Sequence, residues 1–322
     1  MKRRPMILAV ACALSGALPA GVVSAQDKYP DKPVRIIVPT PPGGSSDSIA
    51  RILGEALQLK LKQSFIVENK VGASGTIGAA YAAKAPADGY TILLGTGSTH
   101  VVAPLMMKDI AYDPIKDFSP LAVIGKAPFV FFVNSALPIR SLQELADYAK
   151  KRSTPMTIGT SGIATIYEVG ALMLEQQANI KLNHIPYSGL APLALGVSGG
   201  DVDIGLGPID GYLKTDKLRV LVVLGNKRVS SLPDVPSSSE SGFPQLDIPV
   251  FAAMWGPPGL PPKVLSTLRP ALAEVLAQKD VQDKIRQTGV FVEAADGDAL
   301  ETMVRNDLSA VKAVIAATAT AK

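Results

Sequence analysis

The 322-residue chain predicts an α/β fold of two lobes, a clamshell whose first lobe is discontinuous. Three observations predict it. Short apolar runs of strand length alternate with helical patterns along most of the chain, which implies parallel sheets covered by helices. A stretch rich in Ser, Pro and Gly at 225–249 then interrupts the alternation and reads as a connecting loop. Two amphipathic helices close the chain and need a surface to pack on. A first lobe built from both chain ends around a middle lobe supplies it. The lobes are expected at 26–125 with 235–322, and at 126–234.

Val34–Val38 (VRIIV) is nearly all apolar, as a strand covered on both faces must be. Ile49, Ile52, Leu53, Ala56 and Leu57 follow i, i+3, i+4, i+7, i+8 spacing, one face of a helix. Strands are expected at 64–68 and 90–94, with a helix at 76–84 between them. Leu121–Ile124 and Phe129–Val133 are further strands. SLQE, Ser141–Glu144, is a capping box opening a helix whose apolar face is Leu142, Leu145, Ala146 and Ala149. Strand TIGTSG, a helix from Thr165, strand LNHIPY, a helix at 191–197 and strands VDIGLG and RVLVVLG complete the middle lobe. Of the closing helices, Leu265, Leu268, Leu272 and Val275 line one; Leu300, Met303, Val304, Leu308 and Val311 line the other.

At 47% apolar the chain can bury a core and is not disordered. Its start reads as a secretory signal: Lys2, Arg3 and Arg4, an apolar run from Met6 to Leu18, and the small-x-small site Val23-Ser24-Ala25. Cleavage is expected after Ala25, leaving a periplasmic protein. The only cysteine, Cys12, leaves with the signal, and Ala9-Val10-Ala11 before it fits a lipoprotein anchor poorly. Three positive charges leave too, so the net charge falls from +4 to +1. That balance removes the electrostatic case for nucleic acid.

The segment VRIIVPTPPGGSSDSIARIL runs from a strand through a glycine turn into a helix. Unpaired amides at a helix start carry roughly half a positive charge and attract anions. Gly43 and Gly44 allow the backbone such a cradle needs; Ser45 and Ser46 can cap the helix or donate hydroxyls. The Gly-Lys-Ser/Thr of a phosphate loop is missing, and Asp47 in the first turn repels a polyanion. The turn suits a small, weakly charged anion such as a carboxylate, the plain alternative being a tight turn with no ligand. GTGSTH (Gly95–His100), with Thr96, Gly97 and Ser98, follows another strand. GTSGIAT (Gly159–Thr165), with Thr160, Ser161, Gly162 and Thr165, follows one in the middle lobe. Open α/β sheets bind ligands at strand carboxyl ends, so two such lobes imply a cleft gripping an anion from both sides.

Enzyme readings fare poorly. The histidines are His100 and His184, the G-x-S-x-G of a nucleophile elbow is not expected anywhere in the chain, and no His, Cys and carboxylate cluster has metal-ligand spacing. No catalytic residue, metal or cofactor is expected. His184 reads as a core or edge residue; for His100 the cleft border and the core are both open. Trp255 reads as packing at the lobe connection, and Thr165-x-x-Glu168 as a capping box.

The runs YPDKPVRIIVPTPPGGSSDSIARIL, VENKVGASGTIGAAYAAKAPADGYTILLGT, YDPIKDFSPLAVI, HIPYSGLAPLALGVSGGDVDI and LPDVPSSSESGFP resemble the extracytoplasmic solute receptors of tripartite tricarboxylate transporters, the Bug receptors, over nearly the whole mature chain. The resemblance implies a Venus flytrap of the periplasmic-binding-protein type. It implies capture of a small carboxylate or related metabolite and delivery to one small and one large integral membrane subunit. A receptor signalling to a membrane sensor is the alternative, and a secreted α/β hydrolase a remote one. A monomer is expected, with no nucleic acid partner. Carried over residue by residue, the first-lobe site is Pro42 to Asp47 with Thr96 to Ser98. The second-lobe site is Thr160 to Thr165, with Tyr187 and Asp203 nearby. Thr40 stands where the family usually has an aromatic residue. Ile163-Ala164 replaces a polar-Gly pair, Glu168 a common His, and Ser188 the Lys or Arg of Pro-Tyr-x-Gly. These departures make the second lobe less basic and more apolar, and leave room for a bulkier or less charged ligand.

Overall fold

The computed structural model describes residues 29–160, 164–187, 189–208, 213, 215–229, 231–248 and 250–320. The expected signal sequence, 1–25, lies outside the described residues, as do Ser161, Gly162, Ile163 and Ser188.

Chain order builds one sheet, then the other, then returns to the first. β1 (Val34–Val38), α1 (Ser45–Leu61), β2 (Phe65–Asn69), α2 (Thr76–Ala83), β3 (Thr91–Thr96), a π-helical turn at Ser98–Val102, α3 (Ala103–Met106) and β4 (Ser119–Lys126) come first. The middle supplies β5 (Phe129–Asn134), α4 (Leu142–Lys151), β6 (Met156–Thr160), α5 (Ile166–Ala178), β7 (Leu182–Pro186), α6 (Leu190–Gly199), β8 (Ile204–Pro208) and β9 (Leu218–Val223). The return supplies β10 (Phe251–Gly256), α7 (Pro262–Leu276), α8 (Lys279–Arg286), β11 (Phe291–Asp296) and α9 (Gly297–Thr320). Among the described residues, one sheet runs β11-β4-β10-β3-β1-β2 and the other β7-β6-β8-β5-β9.

β1 shows why the first sheet forms. Ile36 and Val38 pack with Leu53 and Leu57 of α1 and Leu268 and Leu272 of α7. Ile37 faces the other way, among Ala79 and Ala82 of α2 and Val101. All three β1 residues are fully buried, each burial contributing about 1.5–3 kcal/mol. β5 does the same in the second sheet: Phe131 and Val133 face α4 and α5, Val130 and Phe132 face α6. The α4 capping box forms as the sequence predicts, Ser141 Oγ accepting from Glu144 N at 3.1 Å and the Glu144 carboxylate accepting from Arg140 N.

The expected all-parallel sheets are mixed. β1 is parallel to β2 and β3, and β6 to β7 and β8, but β10 is antiparallel to β3 and β4, β11 to β4, and β5 to β8 and β9. The cause is the crossing between lobes. β4 leaves the first sheet and β10 re-enters it beside β4, Phe251 opposite Lys126, with Ala127 N donating to Val250 O at 3.2 Å. An outgoing and a returning strand side by side are necessarily antiparallel. The segment expected as a connecting loop is bonded to the second sheet. Val223 N donates to Pro236 O, Ser238 N to Val223 O and Ser238 Oγ to Leu246 O, with Ser237 and Ser238 fully buried. Residues 236–246 therefore extend the second sheet's edge.

Candidate functional site

The parallel strands of both sheets turn their carboxyl ends toward one another, and a cavity of about 1120 Å³ lies between them. The order β3-β1-β2 sets three loops side by side on the first-lobe wall. After β1 come Thr40, Gly43, Ser45, Ser46 and Ser48; after β2, Val71 to Gly75; after β3, Thr96 to Thr99. The loop after α8, Arg286 to Val290, closes this wall. The second-lobe wall consists of Phe129, Thr165, Ile166, Tyr167, Pro208, Leu213, Val220, Ser231 and Leu232.

The β1 loop has one of its backbone donors engaged by its own carboxylate. Gly43 sits at φ +82°, a conformation glycine adopts freely. Gly44 is the N-cap of α1 with no side-chain cap, and the first intrahelical amide is Ser48 N, donating to Gly44 O. The amides of Ser45 and Ser46 therefore have no intrahelical partner and line the cavity side of the helix start. Thr40 Oγ1 is buried with no partner among the described residues. Asp47 does not face the ligand space. It lies beneath the turn, accepting from Gly43 N at 3.0 Å, from Arg51 Nε and Nη2 at 3.0 Å, and from Asn69 Nδ2 at 3.0 Å; Asn69 Nδ2 also donates to Thr40 O. The Arg51 guanidinium, then the Gly43 amide and Asn69, hold its carboxyl down at about 2. Asp47 is thus a fixed anion shaping the loop. Nor does Ser45 cap α1: its hydroxyl donates to Thr288 O at 2.9 Å and ties the β1 loop to the α8 loop.

Pro42, Gly44, Thr160 and Tyr187 are not among the described cavity-lining residues. Tyr187 N donates to Thr160 O, and its ring lies over Gly159 and against Gly196, where an added Cβ would come within 2.3 Å of the Tyr187 hydroxyl. Asp203 is at the wrong end of the sheet. It precedes β8 and accepts from Thr157 N at 2.8 Å and Thr157 Oγ1 at 3.1 Å near the start of β6, with Arg152 at 3.5 Å. It joins the amino ends of two strands, far from the carboxyl ends that bound the cavity. Thr165 lines the cavity and caps α5, Glu168 N donating to its hydroxyl at 3.5 Å while the Glu168 carboxylate accepts from Ala164 N at 2.6 Å.

His100 belongs to the core. It is fully buried, stacked on Trp255 at 3.7 Å between ring centroids, with Thr99 Oγ1 3.0 Å from Nδ1. Burial drives its pKa down to about 3, so it is neutral. Only glycine fits at position 95, where a Cβ would meet the His100 ring at 2.6 Å. Trp255 sits within the first sheet, on β10 opposite Leu93. His184 is on edge strand β7, 3.4 Å from Glu175.

Two parts of the site escape the sequence reading. Gly72, Ala73, Ser74 and Gly75 all have positive φ, a strained run that persists only where surroundings enforce it. A Cβ on Gly75 would meet Thr99 Cγ2 at 2.7 Å and Pro39 Cβ at 3.2 Å, so glycine there lets all three loops close up. The signal is present in VGASGT, the same strand-end pattern of glycine and small hydroxyl residues. Arg286, the one charged side chain lining the cavity among the described residues, comes from a helix that the sequence reading omits. Gly196-Val197-Ser198-Gly199-Gly200 does have G-x-S-x-G spacing, but it ends α6 instead of turning from a strand into a helix, so Ser198 is no elbow nucleophile. The described residues hold no group of three His, Cys, Asp or Glu placed for a metal, and no helix long and apolar enough to cross a membrane.

The chain matches the tripartite tricarboxylate transporter family receptor over residues 49–319. It is 31% identical to the protein BugT of Bordetella pertussis over 312 residues, 96% of this chain and 95% of that protein. Its fold is similar to MatC of Rhodopseudomonas palustris with bound malate (TM-score 0.78, 27% identity, 89% of this chain and 100% of that one). It is also similar to R. palustris Rpa4515 with adipate (TM-score 0.81, 27% identity, 90% and 98%). This two-lobed clamshell therefore belongs to the tripartite tricarboxylate transporter receptor family that includes the Bug proteins, and it is a solute-binding protein, not an enzyme.

Proposed function

We propose that the protein works in the periplasm, after cleavage behind Ala25, capturing a small carboxylate between its lobes and delivering it to a small and a large membrane subunit of a tripartite transporter. The observation that carries this reading is the first-lobe wall. The strand-end loops bring the Ser45 and Ser46 amides, which have no intrahelical partner, and the residues Ser46, Thr96 and Ser98 to one cavity, with Arg286, paired to Asp283 at 3.0 Å, at its edge. That is the donor set for a carboxylate, and the similar proteins solved with malate and adipate agree with it. Binding involves the residues of 43–46, 72–75 and 96–98 on one side and Thr165 with Tyr167 on the other. The lobes meet at the paired crossings near 126–128 and 248–250, the second placed later than residue 235 because 236–246 bond to β9. A thermal-shift screen of carboxylates tests the reading. A ligand at 100 times its Kd should stabilise the protein by about 2.7 kcal/mol. A folded protein that no carboxylate stabilises refutes it.

A further inference from the structure

The two walls of the cavity differ in chemistry. The first-lobe wall carries the denser set of hydroxyls and amides, Ser45, Ser46, Thr96, Ser98 and the backbone of 72–75, set among Pro39, Pro41 and Val71. Among the described residues the second-lobe wall is mostly carbon, with the hydroxyls of Thr165, Tyr167 and Ser231 set into it. Phe129, Ile166, Leu213, Val220 and Leu232 form most of it, and Val250 and Phe251 continue it across the crossing. Its described polar members carry no charge to pair with a second anion: Thr165 and Ser231 are hydroxyls, and burial pushes the Tyr167 hydroxyl up to about 12, so it is neutral. The one charged lining side chain among the described residues, Arg286, stands beside the first-lobe loops, where its neighbour Thr288 accepts from Ser45.

We infer that the preferred ligand is a monocarboxylate carried on an apolar body, its single anionic end on the first lobe and its hydrocarbon or aromatic portion against the second. This rests on the carboxylate reading above and narrows it. A dicarboxylate spanning the cleft would set its second charge among Val220, Leu232 and Phe129, with no cationic side chain of the described residues on that wall to pair with it. A buried charge without a partner is strongly disfavoured, whereas apolar surface covering those side chains is stabilised by about 25 cal/mol per Å². The size agrees. Ligand pockets of about 300–1,000 Å³ suit drug-sized molecules, and about 1120 Å³ leaves a four-carbon acid much of the space unfilled.

Calorimetry with matched pairs tests it: hexanoate against adipate, butyrate against succinate, with 3-phenylpropionate and malate. The monoacids should bind about tenfold or more tightly than their diacids, with 3-phenylpropionate at least equal to hexanoate. Diacids binding as well as or better than monoacids overturn the inference and leave the carboxylate receptor standing; a protein that binds none of the six overturns both. Leu232→Arg, on the half-buried second-lobe wall, should reverse the preference by weakening hexanoate and strengthening adipate. Circular dichroism establishes that the variant folds, and Val220→Thr, of nearly the same shape, provides a milder probe that should weaken hexanoate severalfold and spare adipate. Unchanged ratios in both folded variants place the ligand away from this wall and refute the proposal.

Discussion

Replacing Asp47 by Asn tests whether the binding loop is held from beneath. The carboxylate accepts four hydrogen bonds, one from Gly43, one from Asn69 and two from Arg51, and its side chain is 5% exposed. An amide removes the charge and turns one acceptor into a donor. Whichever end carries the NH₂ then faces two donors it cannot satisfy. The downward displacement of the carboxyl from 3.8 to about 2 corresponds to roughly 2.4 kcal/mol at 1.36 kcal/mol per pH unit. Arg51 is half exposed, so solvent screening reduces this to about 1–2 kcal/mol. For a chain of this size that is a fall in melting temperature of about 2–3 °C. The sign in pH is fixed as well. The native carboxyl titrates below its unfolded value, so the stabilisation is complete above pH ~4 and is lost as pH falls toward 2. Scanning calorimetry at pH 7, 4 and 2.5 should show the wild-type advantage at the first two and its shrinkage at the third. Carboxylate affinity should fall in the variant at pH 7, because Gly43 and Thr40 lose their anchor. An equal melting temperature at pH 7, or a gap that persists at pH 2.5, refutes the reasoning.

Gly44→Val should weaken binding with little change in stability: Gly44 has φ −80° and ψ 172°, which valine adopts readily, a Cβ there has nothing closer than Pro41 O at 3.6 Å, and the branched side chain would stand between the lining residues Gly43 and Ser45. Retained binding by calorimetry would remove the β1 loop from the site. Ser45→Ala and Ser46→Ala should separate. The first loses the bond to Thr288 O and about 1 kcal/mol of stability, and the second keeps its stability and binds more weakly; urea denaturation with titration calorimetry reads both, and equal behaviour of the pair contradicts the assignment. Asp307 on α9 is pushed up to about 6, first by burial and then by Asp247, with Lys126 opposing. Its ionisation therefore destabilises the fold progressively above pH ~4. Asp307→Asn should add about 1–2 kcal/mol at pH 7.5 and nothing at pH 3.5 in urea denaturation, and the reverse order would disprove the sign.

Local periodicity was enough to read the strands and the longer helices of the first 223 residues, though not the π-helical turn at Ser98–Val102 or α3, because burial there follows helix or strand spacing. Ile49, Leu53, Ala56 and Leu57 are the buried face of α1 as their spacing predicts, and Thr165 and Ser141 cap their helices. The misses have physical causes. β10, FAAMWG, is buried at every position and shows no alternation, and its partners β3 and β4 lie more than a hundred residues earlier. β11 pairs through an irregular register and is half exposed. Neither leaves a short-range signature. In the site, small residues at strand ends mark the loops but not the direction of each side chain. Asp47 looks like a ligand contact in sequence and lies beneath the loop, since Arg51 one turn along α1 and Asn69 at the end of β2 draw it inward. Asp203 stands next to a strand, but at its amino end.

Asp47 and Glu168 set how many neutral donors each loop leaves free. A carboxylate among unpaired amides would occupy them itself and exclude an anionic ligand. Asp47 instead takes only the Gly43 amide and two side chains behind the loop, leaving the Ser45 and Ser46 amides without a helix partner. Glu168 does the corresponding thing in the second lobe, where its carboxylate takes Ala164 N and so withdraws a donor from the loop above α5. Under the proposed function, this hydrogen bonding favours the first lobe as the anion's seat: Asp47 leaves two helix-start amides beside the cavity, whereas Glu168 takes the one amide described in the loop before α5.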